Sequence, residues 1–174
     1  MRKKRLLQLT AALLCAFILS ACGGAPADAD YTCTVSISCA TILDNMDQCA
    51  ESKKELVPAD GVILPPTEVA FAEGESAFDV LQRVCRDNGI HLESKFTPVY
   101  NSAYIQGIHN IYEFDVGKLS GWMYAVNDWF PNYGCSLYQV QDGDVIRWVY
   151  TCDLGADVGG GQAAGDGQQE EAST

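Results

Sequence analysis

The chain has little positive charge and little histidine. Its 174 residues carry 11 Lys and Arg against 23 Asp and Glu, with two His, for a formal charge of -12 at pH 7. Four of those cations, Arg2, Lys3, Lys4 and Arg5, stand together at the start. A protein with this field has no basic face for phosphate, so nucleic acid is not an expected partner. Catalytic signatures are also missing: there is no G-x-S-x-G, no H-E-x-x-H and no phosphate loop, and His91 and His109 stand 18 positions apart. No two cysteines have C-x-x-C spacing, and Asp142 and Asp144 flank a glycine without an EF-hand pattern around them, so no metal is expected. These absences point to a protein that binds, and not to an enzyme.

A long apolar run is absent too. The stretch from Leu6 to Leu19 is interrupted by Gln8 and Thr10 and is shorter than the roughly 20 apolar residues of a spanning helix. Behind its cationic start it reads as an export signal. It ends in Leu19-Ser20-Ala21-Cys22, which resembles the bacterial lipobox. That resemblance implies a lipoprotein signal peptide over 1–21, removed to leave a lipidated Cys22. The mature chain is then held at the extracellular face of the bacterial membrane through that lipid alone. Removing 1–21 takes away four cations and leaves the chain more acidic still. Residues 22–30 read as a tether, 31–154 as one domain, and 155–174 as a disordered, acidic, Gly- and Gln-rich tail.

With Cys15 in the signal and Cys22 at the anchor, six cysteines remain: Cys33, Cys39, Cys49, Cys85, Cys135 and Cys152. An even set in an exported chain is read first as disulfides, and 15 pairings are open. On one strand Cys33 and Cys39 would sit about 20 Å apart, at 3.3 Å per residue, so each needs a partner elsewhere.

Alternating residues predict strands over Tyr31–Ser38, Thr67–Gly74, His91–Phe96, Gly121–Asn127, Ser136–Val140 and Asp144–Thr151, the last with Ile146, Trp148 and Tyr150 opposed to Val145, Arg147, Val149 and Thr151. ATILDNMDQC could make a short helical turn. LVPADGVILPP, broken by prolines, reads as loop with a brief extended piece. Ser76 is an N-cap candidate and Asn88-Gly89 a stop. Between them Phe78, Leu81, Val84 and Cys85 form an apolar stripe, with Gln82, Arg83, Arg86 and Asp87 opposite. Asp142-Gly143 marks a tight turn. One helix among several strands gives α+β with a mainly antiparallel sheet.

The order Gly-Trp-x-Tyr-x-Val-Asn at 121–127, Pro-Asn-x-Gly at 131–134 and Asp-Gly-Asp at 142–144, behind GESAFDVLQRV, resembles the transcobalamin-like C-terminal domain family of bacterial surface lipoproteins. The similarity runs from roughly Thr67 to Thr151. It implies a β-grasp fold, in which a sheet wraps one helix. It also implies a ligand: in the cobalamin carriers this kind of domain covers one side of the vitamin, and a larger helical domain covers the other and can supply a cobalt ligand. Residues 31–154 cannot hold both halves.

Cobalamin, a flat macrocycle fringed with amides, suits aromatic side chains with polar tips. Trp122 and Tyr124 share one strand face, with Met123 and Ala125 on the other, and read as core or as platform. Trp129, Phe130 and Tyr133, with Asn132 among them, crowd a loop that a purely structural turn would not need to fill with aromatics. Tyr104, His109, Asn110 and Tyr112 form a second candidate rim, with His109 weighed as cobalt ligand against ordinary hydrogen bonding. The expected ligand site is Tyr104, His109, Trp122, Tyr124, Trp129, Phe130, Asn132 and Tyr133, for cobalamin or a related corrinoid. The alternative is a protein-interaction or adhesion module using the same aromatic loop.

Overall fold

The computed structural model describes residue 26 and residues 29–160. The expected signal peptide over 1–21, the expected lipidation site Cys22 and residues 161–174 lie outside the described residues. Among those described, no helix is long and apolar enough to cross a membrane.

The fold is α+β and mostly sheet. Among the described residues, seven strands, β1 (Tyr31–Ser38), β2 (Val62–Phe71), β3 (Leu92–Thr97), β4 (Ser102–Ile108), β5 (Ile111–Tyr112), β6 (Gly121–Val126) and β7 (Val145–Thr151), accompany one α-helix, α1 (Ala77–Asp87). Short 3-10 helices occupy Ala40–Asn45, Glu51–Leu56 and Ala156–Val158. The strands form two sheets instead of a single wrapping one: a four-stranded sheet in the order β2-β1-β7-β6 and a three-stranded sheet in the order β3-β4-β5. All pairings are antiparallel except β1 with β7, which is parallel and central.

Helix α1 begins where its sequence dictates. The Ser76 hydroxyl accepts from the Asp79 N–H at 3.2 Å, and the Asp79 carboxylate accepts from the Ser76 N–H at 2.9 Å, a reciprocal box that satisfies donors no helical carbonyl can reach. The helix buries Val80, Leu81, Val84 and Cys85. They meet Val35 and Ile37 of β1, Phe71 of β2, Ile105 and Ile108 of β4, Tyr124 and Val126 of β6, and Ile146 and Trp148 of β7. Arg83, expected on the outer face, is buried. Its guanidinium pairs with Glu75 and donates to the Ala70 carbonyl at 2.8 Å, so the charge enters the interior already partnered. A second cluster, Cys39, Ile42, Cys49, Ile111, Val116 and Tyr150, lies under the first two 3-10 helices.

Two local expectations are corrected. β2 extends through Pro65 and Pro66, because it is an outer strand of its sheet and its ladder is irregular there: Val35 faces Thr67 and Ile37 faces Leu64, so the two prolines together oppose Ser36 and neither has to donate to β1. Ser136–Val140 is turn with one isolated bridge, Gln139 to Ser76, and not a strand. The charged run Glu51–Leu56, for which the sequence carried no clear pattern, winds into a 3-10 helix. The described chain runs on to Gly160, and the Asp157 carboxylate accepts from the Cys152 N–H at 2.7 Å, which folds the segment around Asp157 back onto the end of β7.

The disulfide expectation is corrected as well. Cys33, Cys39, Cys49, Cys85, Cys135 and Cys152 are all free thiols, five of them buried. Cys33, Cys85 and Cys135 sit in the first cluster and Cys39 and Cys49 in the second, where they pack as small apolar side chains. Burial pushes the thiols of Cys33, Cys39, Cys85 and Cys135 up to about 12, so all four are neutral across the physiological range.

Candidate functional site

β6 and the segment after it build one wall of a cleft. Asn127 and Asp128 both take positive φ, 50° and 66°, a conformation that Asn and Asp tolerate better than other side chains. They turn the chain so tightly that Val126 and Trp129 exchange backbone hydrogen bonds at 2.8 and 2.9 Å. The Asn127 side chain fixes the turn, donating to Asp144 at 2.8 Å and accepting from the Val145 N–H at 2.9 Å, while Arg147 pairs with Asp128 at 2.9 Å. From there the chain descends through Pro131, Asn132, Tyr133 and Gly134. The Tyr124 hydroxyl, reaching out of the core, donates to the Tyr133 carbonyl at 3.0 Å and pins this wall.

The opposite wall is the β3–β4 hairpin. Thr97, Tyr100, Ser102, Ala103 and Tyr104 face Pro131, Asn132, Tyr133 and Gly134 across a cavity of about 340 Å³. The walls are stitched at the floor. The Ser102 and Ser136 hydroxyls lie 2.9 Å apart, and the Ala103 N–H donates to the Ser136 hydroxyl at 3.0 Å. Gly134 makes this closeness feasible: a Cβ there would stand 1.7 Å from the Ser102 hydroxyl and 2.4 Å from its Cβ.

The lining is neutral, offering three phenols, two hydroxyls and one amide among apolar atoms, and no carboxylate, imidazole or thiol. The Tyr104 hydroxyl donates to the Glu113 carboxylate at 2.5 Å; burial and then that hydrogen bond push its ionisation up to about 12. Such a lining can stack on flat groups and hydrogen-bond uncharged polar ones.

The residues singled out from sequence divide accordingly. Tyr104, Asn132 and Tyr133 line the cleft. Trp129 stands at its rim, 46% exposed, with its ring edge-on to Tyr133 at 6.0 Å between centroids. Phe130, from the same loop, turns inward and packs on Gly160. Trp122 is a packing residue, edge-on to Tyr150, with its indole N–H donating to the Ile111 carbonyl at 2.8 Å. Tyr124 stacks on Trp148 and supports the cleft from behind. His109 is not brought to the cleft. It forms the β4–β5 turn with Asn110, both at positive φ, at the far end of the strand that begins with Ser102. Tyr112 is likewise elsewhere, its hydroxyl on Glu93 and Lys53 over its ring.

Sequence reasoning did not place Thr97, Tyr100, Ser102, Ala103, Pro131 or Gly134 in the site. Tyr100 had a signal, an aromatic beside Pro98 and Asn101 in a turn that exposes 73% of it. The Ser102–Gly134 contact had none, because it joins positions 32 apart through the fold alone.

One solved structure shares this fold, and a family model matches part of the chain. Residues 74–152 match a family described as a domain of unknown function, DUF4430. The crystal structure of haptocorrin in complex with Cbi is similar at a TM-score of 0.50 and 14% identity, over 71% of this chain and 26% of that one. The likeness is one of fold, and this chain spans about a quarter of haptocorrin's length. A candidate metal binding protein from Ruminococcus gnavus has a TM-score of 0.42 at 15% identity, over 70% of this chain and 97% of that one. No curated protein matches the chain.

Proposed function

We propose that this chain is a non-catalytic ligand-binding module, lipid-anchored at the outer face of a bacterial membrane through Cys22, and that its ligand is a corrinoid. The observation that carries the reading is the cleft: two walls from distant parts of the chain bring Tyr100, Tyr104 and Tyr133 around one neutral cavity, with Trp129 at the rim. Its volume of about 340 Å³ is near the lower end of small-molecule pockets, roughly 300 to 1,000 Å³. It therefore takes an edge of a large flat molecule and leaves the remainder uncovered. The amide fringe of a corrinoid fits that role, since amides hydrogen-bond to phenols, hydroxyls and Asn132 without needing a countercharge. Haptocorrin, similar in fold, was crystallised with Cbi, which supports the choice of ligand class.

A titration of the full chain with cobalamin, following tryptophan emission corrected for the ligand's own absorbance, tests this reading. Saturable quenching that shrinks in Trp129→Phe, with Trp122 and Trp148 left to report the remainder and with affinity measured calorimetrically unchanged, supports a ligand beside Trp129. Linear, non-saturating quenching contradicts it.

A second reading, docking of another surface protein, is favoured by one observation. Phe96, Val99 and Tyr100, on the hairpin that forms one wall, are 62%, 86% and 73% exposed, which is the composition of an interaction surface. Chains that ignore cobalamin yet lose partner binding in Tyr100→Ala would fit this second reading.

A further inference from the structure

The outer strand of the three-stranded sheet carries information the cleft does not use. β3 pairs with β4 on one side, and no described strand pairs with it on the other. Such an edge presents a row of unpaired backbone donors and acceptors, and proteins usually blunt it with proline, a bulge or a covering element. Leu92–Thr97 has no proline. The irregularity in its ladder puts the extra residue on β4, because Glu93 faces Gly107 and the next residue, Ser94, faces Ile105, so β3 itself runs regularly. Phe96 on this strand is 62% exposed.

The charges along β3 are self-complementary. Exposed Glu93 and Lys95 flank Ser94. A two-fold antiparallel pairing of two such strands, centred on Ser94, sets Glu93 of each copy opposite Lys95 of the other and Leu92 opposite Phe96. Unlike charges directly across an antiparallel ladder stabilise it, and like charges oppose it. Centring the pairing on Glu93 or on Lys95 instead puts two identical charges face to face. Only one register therefore satisfies both charges and covers the exposed phenylalanine, in the isologous geometry that closes a dimer. In a chain with a formal charge of -12, this locally balanced edge meets less repulsion from a second copy than an acidic face would.

We propose that β3 is a homodimerisation edge, joining two copies through an antiparallel β3–β3 ladder centred on Ser94 into one continuous sheet. The proposal is independent of what the cleft binds. The test is sedimentation of the full chain in neutral detergent, at concentrations on the order of 100 µM, for the wild type, Lys95→Glu, Glu93→Lys and an equimolar mixture of the two variants. Circular dichroism checks that each is folded, which matters for Glu93→Lys because Glu93 also accepts the Tyr112 hydroxyl at 2.8 Å.

The wild type is expected to be dimeric. Each single variant faces itself with like charges at two symmetric positions and should associate at least about tenfold more weakly. The mixture pairs an all-acidic edge with an all-basic one and should recover the dimer as a heterodimer. A wild type that stays monomeric would leave the edge to a foreign strand or to none and overturn the proposal. Single variants that dimerise as well as the wild type, or a folded mixture that stays monomeric, would overturn it too.

Discussion

Two groups of aromatic residues share this small molecule and are used in opposite ways. Trp122, Tyr124, Trp148 and Tyr150 pack against one another inside, and three of them send their polar atoms to partners within the protein: Trp122 to the Ile111 carbonyl, Tyr124 to the Tyr133 carbonyl, and Tyr150 to the Tyr112 carbonyl at 2.7 Å and the Ser120 hydroxyl at 2.9 Å. Tyr100, Tyr104, Trp129 and Tyr133 are each at least 40% exposed and surround an open cleft. The interior set holds the sheet together. The exposed set contributes little to folding and so is free to meet a ligand. The Tyr124 hydroxyl joins them, carrying the rigidity of the first to the wall of the second.

The comparison breaks most severely at high pH. Four buried thiols, Cys33, Cys39, Cys85 and Cys135, have folded values near 12 against an ordinary 9.0. A value raised on folding means stability that is complete below about pH 9 and lost as pH climbs toward 12, because the unfolded chain releases its protons first. Denaturant midpoints should be flat from pH 6 to 8 and collapse above 9. An unchanged midpoint at pH 11 would show these thiols to be less buried than described.

Trp148→Ala should cost about 3 to 5 kcal/mol, as expected for deleting a fully buried aromatic, and guanidinium melts would show it. A loss under about 1 kcal/mol would contradict its place at the centre of the core. Gly134→Ala should cost about 1 to 3 kcal/mol, since the added methyl collides with Ser102. Its companion Ser102→Gly/Gly134→Ala should recover part of that loss, and failure to recover would mean the contact does not set the wall. The smallest effect is expected from Tyr133→Ala. An exposed side chain of this kind should change stability by no more than about 0.5 kcal/mol while impairing binding, and a larger stability loss would place Tyr133 with the interior set.

Local signals were legible and long-range ones were not. β1 occupies the alternating stretch read for it, and α1 starts at Ser76 because Ser and Asp three apart can cap each other whatever surrounds them. The buried face of β7, Ile146, Trp148 and Tyr150, follows from alternation alone. Pro65-Pro66 misled because a proline's cost depends on whether its strand is at an edge, a property of the sheet and not of the segment. The cysteines misled because an even count in an exported-looking chain says nothing about whether each thiol meets another or only apolar neighbours. In the aromatic loop, sequence located the cluster but could not tell Phe130, which turns in against Gly160, from Trp129 and Tyr133, which turn out.

The central claim is that the Tyr100–Tyr133 cleft is where this protein holds its ligand, and calorimetric titration of cobalamin into the full chain and into Tyr100→Ala/Tyr133→Ala tests it most directly. The expected result is wild-type binding at micromolar Kd or tighter, about -8 kcal/mol, weakened at least about tenfold in the double variant at unchanged stability. Binding that the double variant leaves intact, or no binding at millimolar cobalamin, would contradict it.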